Sequence, residues 1–301
     1  MRIQANGIDI EVEDSGAHAE SSAPAVLLIM GLGMQLTSWP PSLVDGLIAA
    51  GYRVIRFDNR DSGLSTRFDE HGKPKLAWTV VKHRLRLPIQ APYSLADMSA
   101  DALGVLDALG IAQAHIVGVS MGGMIAQRLA IAFPTRLMSL TSIMSSSGAR
   151  DLPGPRPAVG HAMLSRPQSR DKQAIVDHSV KLLRMIGSPK HADHEPVVRA
   201  RVGRNFDRSF HPVGISRQMV AIMADHDRFG QLGDIRTPTL VIHGTDDPLV
   251  PFACGVDTAK RIPGAKLLAM PGMGHDLPKK MMPTLCAALV QHFRAATAAS
   301  S

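Results

Sequence analysis

The stretch Gly118-Val119-Ser120-Met121-Gly122-Gly123 constrains this chain more than any other. It follows the apolar residues of His115-Ile116-Val117 and opens a helical pattern that runs from Met121 to Phe133 before Pro134. Strand must therefore become helix within one sharp turn. The residue at the apex of such a turn is held in a strained backbone conformation. Glycines on either side let the two backbones approach without a Cβ clash. Ser120 then projects its hydroxyl beyond the strand, above a helix N-terminus whose free N–H groups favour developing negative charge. That placement marks Ser120 as a candidate nucleophile. The plainer reading is a serine that merely caps the helix.

The rest of the chain fits a sheet built around that turn. Ile3 to Glu13 alternates about Asn6-Gly7, a hairpin signal. Ala25 to Met30 is a short continuous apolar run, as expected of a strand buried on both faces. Arg53 to Phe57, His115 to Val119 and Leu137 to Met144 read as further strands. Helical patterns lie between them at Ser42 to Ala50 and at Leu95 to Leu109, the latter stopped by Gly110. Strands alternating with helices imply parallel pairing through right-handed crossovers. From Ser145 to Gly233 the pattern changes: no buried strand is evident, prolines punctuate the start, and Lys172 to Ile186 and Ser216 to Met223 read as helices. Alternation resumes with Thr239 to His243, a helix at Ala253 to Arg261, a strand at Lys266 to Met270 and a last helix at Met282 to Ala296. The expected organisation is an α/β core of residues 1–144 and 234–301 interrupted by a helical cap, or lid, of residues 145–233.

A serine hydroxyl is a weak nucleophile without a base, and the base needs an acid to orient it. After a turn of this kind the acid precedes the histidine in the chain. Of the 13 histidines, His275 lies in the glycine-rich segment Pro271-Gly272-Met273-Gly274-His275-Asp276 after the last expected strand. The segment His243-Gly244-Thr245-Asp246-Asp247-Pro248 supplies two candidate acids. Asp247, before the fixed proline, is the expected partner of His275, and Asp246 is the alternative. His243 sits within a strand and reads as a core or supporting residue. His191 and His194 have a spacing seen in metal sites but lie among charges without a third ligand, which reads as a solvated face.

Composition narrows the partners. Thirty-three Lys and Arg against 26 Asp and Glu give a net charge of +7. Aromatic residues are only 4% of the chain, too few to interleave the basic clusters at His83-Arg84-Leu85-Arg86 and Arg199 to Arg208 for nucleic-acid stacking. A solvated basic surface is the expectation, with no nucleic-acid partner. No apolar run is long enough to span a bilayer. The first twenty residues carry Asp9, Glu11, Glu13 and Asp14 and no apolar signal core, so a cytoplasmic location is expected. Cys254 and Cys286 are too few for a disulfide scaffold and read as buried thiols. Gly31-Leu32-Gly33 follows a strand, but Leu36 stands where a dinucleotide fingerprint needs its third glycine.

Taken together these motifs resemble the α/β-hydrolase fold superfamily along nearly the whole chain. Asp58, Arg60, Gly63 and Ser65 match its D-x-R-x-x-G-x-S loop, Ser120 its nucleophile, Gly244-x-x-Asp247 its acid loop and Pro271 to His275 its histidine loop. Met30-Gly31-Leu32-Gly33-Met34, Asp247-Pro248 and Pro-Gly-Met-Gly-His look most like the aclacinomycin methylesterase-type and related carboxylesterase group. The resemblance implies a catalytic Ser120, Asp247 and His275, and oxyanion donors at the backbone N–H groups of Leu32 and Met121. The family usually has His-Gly where this chain has Met30-Gly31; a backbone donor survives that change. The implied activity is ester hydrolysis on a small-molecule substrate through an acyl-enzyme, with no metal or organic cofactor. Haloalkane dehalogenases and epoxide hydrolases of this fold carry aspartate at the nucleophile position and do not fit. Lactonases, carbon–carbon bond hydrolases and cofactor-free haloperoxidases share the triad, so the triad does not separate them. A non-catalytic hydrolase-fold receptor is the reading from another class. Met144, Met163, Met185, Met219 and Met223 are candidates for a pliable pocket lining or, more plainly, for packing of the cap.

Overall fold

The computed structural model describes residues 1–16 and 23–300. Its strands are β1 (Arg2–Ala5), β2 (Ile8–Asp14), β3 (Ala25–Ile29), β4 (Arg53–Phe57), β5 (Ala114–Val119), β6 (Leu137–Ile143), β7 (Thr239–Gly244) and β8 (Lys266–Met270). The helices are α1 (Pro41–Ala49), α2 (Leu76–Arg84), α3 (Leu95–Ala108), α4 (Met121–Ala132), α5 (Pro157–Leu164), α6 (Lys172–Ile186), α7 (Glu195–Arg208), α8 (Pro212–Ala224), α9 (Arg228–Gln231), α10 (Phe252–Arg261) and α11 (Met282–Ser300). One sheet takes all eight strands in the order β1-β2-β4-β3-β5-β6-β7-β8. Only β1–β2 and β2–β4 are antiparallel. Asn6 and Gly7 both have positive φ, 49° and 75°, as the tight hairpin between β1 and β2 requires.

The β3 run carries no polar residue because both of its faces are buried. Its alternate side chains serve two cores: Ala25, Leu27 and Ile29 join the α3–α4 side, and Val26 and Leu28 join the α1–α11 side. The crossovers return the chain so that the loops after β3, β5, β7 and β8 share the carboxyl edge of the sheet, where α/β folds place their sites.

Between β6 and β7 the described residues form helices α5 to α9 and no strand. This segment is fastened to the sheet edge by charge. Arg217 of α8 is fully buried and forks onto both carboxylate oxygens of Asp61 at 2.7 Å. Asp61 also accepts from the Tyr93 hydroxyl at 2.7 Å and the Phe68 N–H at 2.9 Å. Among the described residues no helix is long and apolar enough to cross a membrane. Of the two thiols, Cys254 is buried and Cys286 half-buried, and both are free. Met144 is buried in the sheet core, and the other four methionines considered above are half-buried.

Removing one member of a buried ion pair leaves the other charge uncompensated. Arg217→Leu is expected to destabilise the protein by about 3–5 kcal/mol, measured as a fall in the urea midpoint.

Candidate active site

The turn after β5 has no room for side chains on its flanks. A Cβ on Gly118 would lie 2.1 Å from the Gly122 carbonyl oxygen, and one on Gly122 would lie 2.1 Å from that of Ile29. Ser120 itself has φ 55° and ψ −119°, strain that a non-glycine residue adopts only when its surroundings impose it. Those surroundings are hydrogen bonds. The Ser120 N–H donates to the Ile143 carbonyl at 2.9 Å, and the Ser145 hydroxyl donates to the Ser120 carbonyl at 2.7 Å. The helix-cap reading of this serine does not hold: its side chain makes no capping bond to α4. Instead its Oγ lies 3.0 Å from Nε2 of His275.

On the other side of the ring, Nδ1 of His275 is 2.7 Å from Oδ2 of Asp247. An ionised carboxylate only accepts, so Nδ1 carries the proton and Nε2 is left to accept from the serine hydroxyl. The Asp247 carboxylate is buried. Its Oδ1 accepts the N–H groups of Leu249 and Val250 at 2.9 and 2.8 Å, the turn that Pro248 sets up. Burial alone would raise its pKa. The charge of His275 and its hydrogen bond, the nearby His243 ring and the Val250 N–H outweigh burial and hold it at about 2. Asp246 takes no part; it accepts from the Thr245 hydroxyl at 3.0 Å. His243 stands behind the acid. Its Nε2 donates to the Val250 carbonyl at 2.8 Å and lies 3.6 Å from Oδ2 of Asp247.

The loop after β3 forms the facing wall. A Cβ on Gly31 would lie 3.2 Å from Cβ of Ser120, so this backbone runs against the serine. Met30 is buried in the core, and its carbonyl accepts from the Asn59 amide at 2.9 Å. The Gly33 N–H donates to Gln218 of α8 at 2.8 Å, and the Leu36 N–H to Asp58 at 2.7 Å. Leu32 is thus pinned from both sides without a histidine at position 30. Met121 is the first residue of α4, where N–H groups have no acceptor within the helix.

The D-x-R-x-x-G-x-S residues buttress that loop and do not line the site. Arg60 forks onto Asp101 at 2.6 Å. Ser65 donates to the Asp58 carbonyl at 2.6 Å. Gly63 has φ +55°, and a Cβ there would lie 1.9 Å from Oδ2 of Asp58.

Two residues that sequence reasoning passed over hold the histidine loop. The His275 N–H donates to the Ile186 carbonyl at 2.7 Å. The Ser188 hydroxyl accepts the Gly274 N–H at 2.9 Å and donates to Asp276 at 2.5 Å, which also accepts the Ser188 N–H at 2.9 Å. Burial raises the Asp276 pKa against these hydrogen bonds. The end of α6 therefore fixes the backbone from which His275 extends. Away from this cluster, His194 precedes α7 and His191 lies near Gly272. Among the described residues no three His, Cys, Asp or Glu side chains are grouped to hold a metal ion.

Residues 24–279 match the family model described as alpha/beta hydrolase fold. The chain belongs to the α/β hydrolase family. Among similar proteins is the rhodomycin D methylesterase of Streptomyces peucetius, 31% identical over 96% of this chain and 97% of that one. The 2-hydroxy-6-oxononadienedioate/2-hydroxy-6-oxononatrienedioate hydrolase of Paraburkholderia xenovorans is 28% identical over 89% of this chain and 84% of that one. The enol-lactonase from Burkholderia xenovorans LB400 superposes with a TM-score of 0.74 over 98% of this chain and all of that one, at 23% identity, a likeness of fold.

A carboxylate held near pKa 2 in the folded chain stabilises it fully above its unfolded value of about 3.8, and that contribution is lost as the pH falls to about 2. For Asp247 this amounts to roughly 2 kcal/mol. Asp58 and Asp276, both raised by burial, act in the opposite sense. Comparison with Asp247→Asn isolates the one group: its stability deficit relative to the unsubstituted protein is expected to shrink by roughly 2 kcal/mol between pH 5 and pH 2 in urea titrations.

Proposed function

We propose that this protein hydrolyses carboxylic esters, with Ser120 as nucleophile, His275 as base and then acid, and Asp247 as the group that orients and charge-stabilises the histidine. The observation that carries the reading is the continuous hydrogen-bonded series from Ser120 Oγ through His275 to a buried Asp247. The two methylesterase relatives at 31% identity lend it support.

The chemistry follows from the proton positions. His275 Nε2 takes the Ser120 proton as Oγ bonds to the ester carbonyl carbon. The carbonyl electrons move to oxygen, and the N–H groups of Leu32 and Met121 stabilise the oxyanion, each donor being worth about 2.7–4 kcal/mol in a comparable enzyme. The charged imidazole, paired with Asp247, gives its proton to the departing alcohol. Water then attacks the acyl-enzyme with His275 again as base, and the acid leaves as Ser120 regains its proton. Residues 145–233 form the cap in this reading. Its helix α8 holds the oxyanion loop through Gln218, and α6 holds the histidine loop through Ile186 and Ser188.

The test is hydrolysis of p-nitrophenyl esters of increasing acyl length. Ser120→Ala should lower kcat by about 10⁶-fold, and Asp247→Asn by about 10⁴-fold. Tight ester binding without turnover by the folded protein would overturn the reading in favour of a receptor. Turnover of 2-hydroxy-6-oxo dienoates with none of esters would overturn it in favour of carbon–carbon cleavage.

Ser188→Ala frees the Gly274 N–H and strips one donor from Asp276. The expected result is a loss of about 1–3 kcal/mol in stability, with kcat reduced and KM little changed, read from steady-state kinetics on the best ester.

A further inference from the structure

Helix α2 is apolar on two sides and packed on one. Thr79 is buried, and Leu76 and Val80 are half-buried against α8. Nδ1 of His83 donates to the Met223 carbonyl of α8 at 3.2 Å. The opposite side faces solvent: Trp78 is 55% exposed, Val81 40%, Leu85 63% and Leu87 45%. Trp78, Val81 and Leu85 follow helical spacings of three and four, so they form one stripe. Lys75 and Lys82 fall on the same stripe. Large apolar side chains on a helix are normally covered, and these have nothing over them among the described residues.

The charge around the stripe is of one sign. Residues 72–96 contain Lys73, Lys75, Lys82, Arg84 and Arg86 and no Asp or Glu. The flanking acids are engaged elsewhere: Asp69 with Arg217 at 3.1 Å and His211 at 3.3 Å, Glu70 with His71 at 3.7 Å, and Asp97 in the capping box of α3. No ion pair joins the five cations to a carboxylate of the described residues. The helix closes with Leu87 N–H on the Lys82 carbonyl at 2.9 Å and Arg86 N–H on that of His83 at 3.1 Å. Arg86 holds the left-handed position, φ 57°, where glycine would be unstrained.

We propose that the outer face of α2 seats this protein on an anionic lipid surface. Trp, Val and Leu side chains enter the headgroup boundary and the surrounding Lys and Arg meet lipid phosphates. The interleaving of cations with aliphatic side chains favours a bilayer over nucleic acid, which would need stacking rings. The same α8 that carries α2 also holds Gly33 through Gln218, which ties the proposed lipid-facing helix to the loop beside Ser120.

Trp fluorescence reads the contact directly, because the chain has two tryptophans and the other, Trp39, is buried. The full chain is mixed with phosphatidylcholine vesicles with and without phosphatidylglycerol. Co-sedimentation with the anionic vesicles alone is expected, with a blue-shifted Trp emission quenched by brominated acyl chains. Raising the salt should release the protein. Two variants test the two halves of the face, each checked for an unchanged thermal midpoint. Lys82→Glu with Arg84→Glu and Arg86→Glu should weaken binding by roughly fivefold or more per cation. Leu85→Ser with Val81→Ser should abolish the blue shift. No binding to anionic vesicles, equal binding to neutral ones, or binding unchanged in both variants would overturn the proposal. So would a dimer in solution that Trp78→Ser dissociates, since a second copy would then own the face.

Discussion

Where β5 meets α4 the two backbones pass so close that a single methyl group at 118 or 122 would strike a carbonyl oxygen. The whole carboxyl edge of the sheet is arranged about that contact. It forces Ser120 to φ 55°, a conformation costing of order 1–3 kcal/mol, and the strand that leads into it is buried throughout. The Ile143 carbonyl and the Ser145 hydroxyl hold the turn from β6, and Gly31 lies against it from β3. A backbone fixed in this way aims the Ser120 hydroxyl at His275, 3.0 Å away.

Much of this was legible because the signals are local. The buried strands are continuous apolar runs, and their bounds agree with expectation to within one residue, as at Arg53–Phe57 and Lys266–Met270. Pro248 marked Asp247 over Asp246, and the structure places Asp247 on the histidine. Helix α8 begins earlier than Ser216, at Pro212, since proline is well suited to a first turn. Helix α2 lacked a signal because its apolar residues occupy two faces and so do not repeat with one helical stripe.

The supports of the site were not legible, for a different reason. Asn59 holds Met30 across 29 residues, Gln218 holds Gly33 across 185, and Ser188 holds Asp276 across 88. Each is an ordinary polar residue whose partner is chosen by the fold. The D-x-R-x-x-G-x-S loop was visible as a motif, yet its logic is three-dimensional. Asp58 serves the Leu36 N–H, and Gly63 is absent a side chain because the Asp58 carboxylate occupies that space. Met30 can replace a histidine because the loop it belongs to is held by amide groups on either side of it.

The grip of residues 186–188 on the histidine loop bears on how such a protein diversifies. A helical insertion tied to the core only at its ends could be exchanged wholesale between relatives, and a new pocket would come with it. Here the helical segment between β6 and β7 also supplies the carbonyl at 186, the hydroxyl at 188, Arg208 on Asp58, Arg217 on Asp61 and Gln218 on Gly33. A grafted segment lacking these five attachments would arrive with its own cavity and a loosened core. Point substitutions between the attachments would reshape the cavity while leaving these five contacts in place.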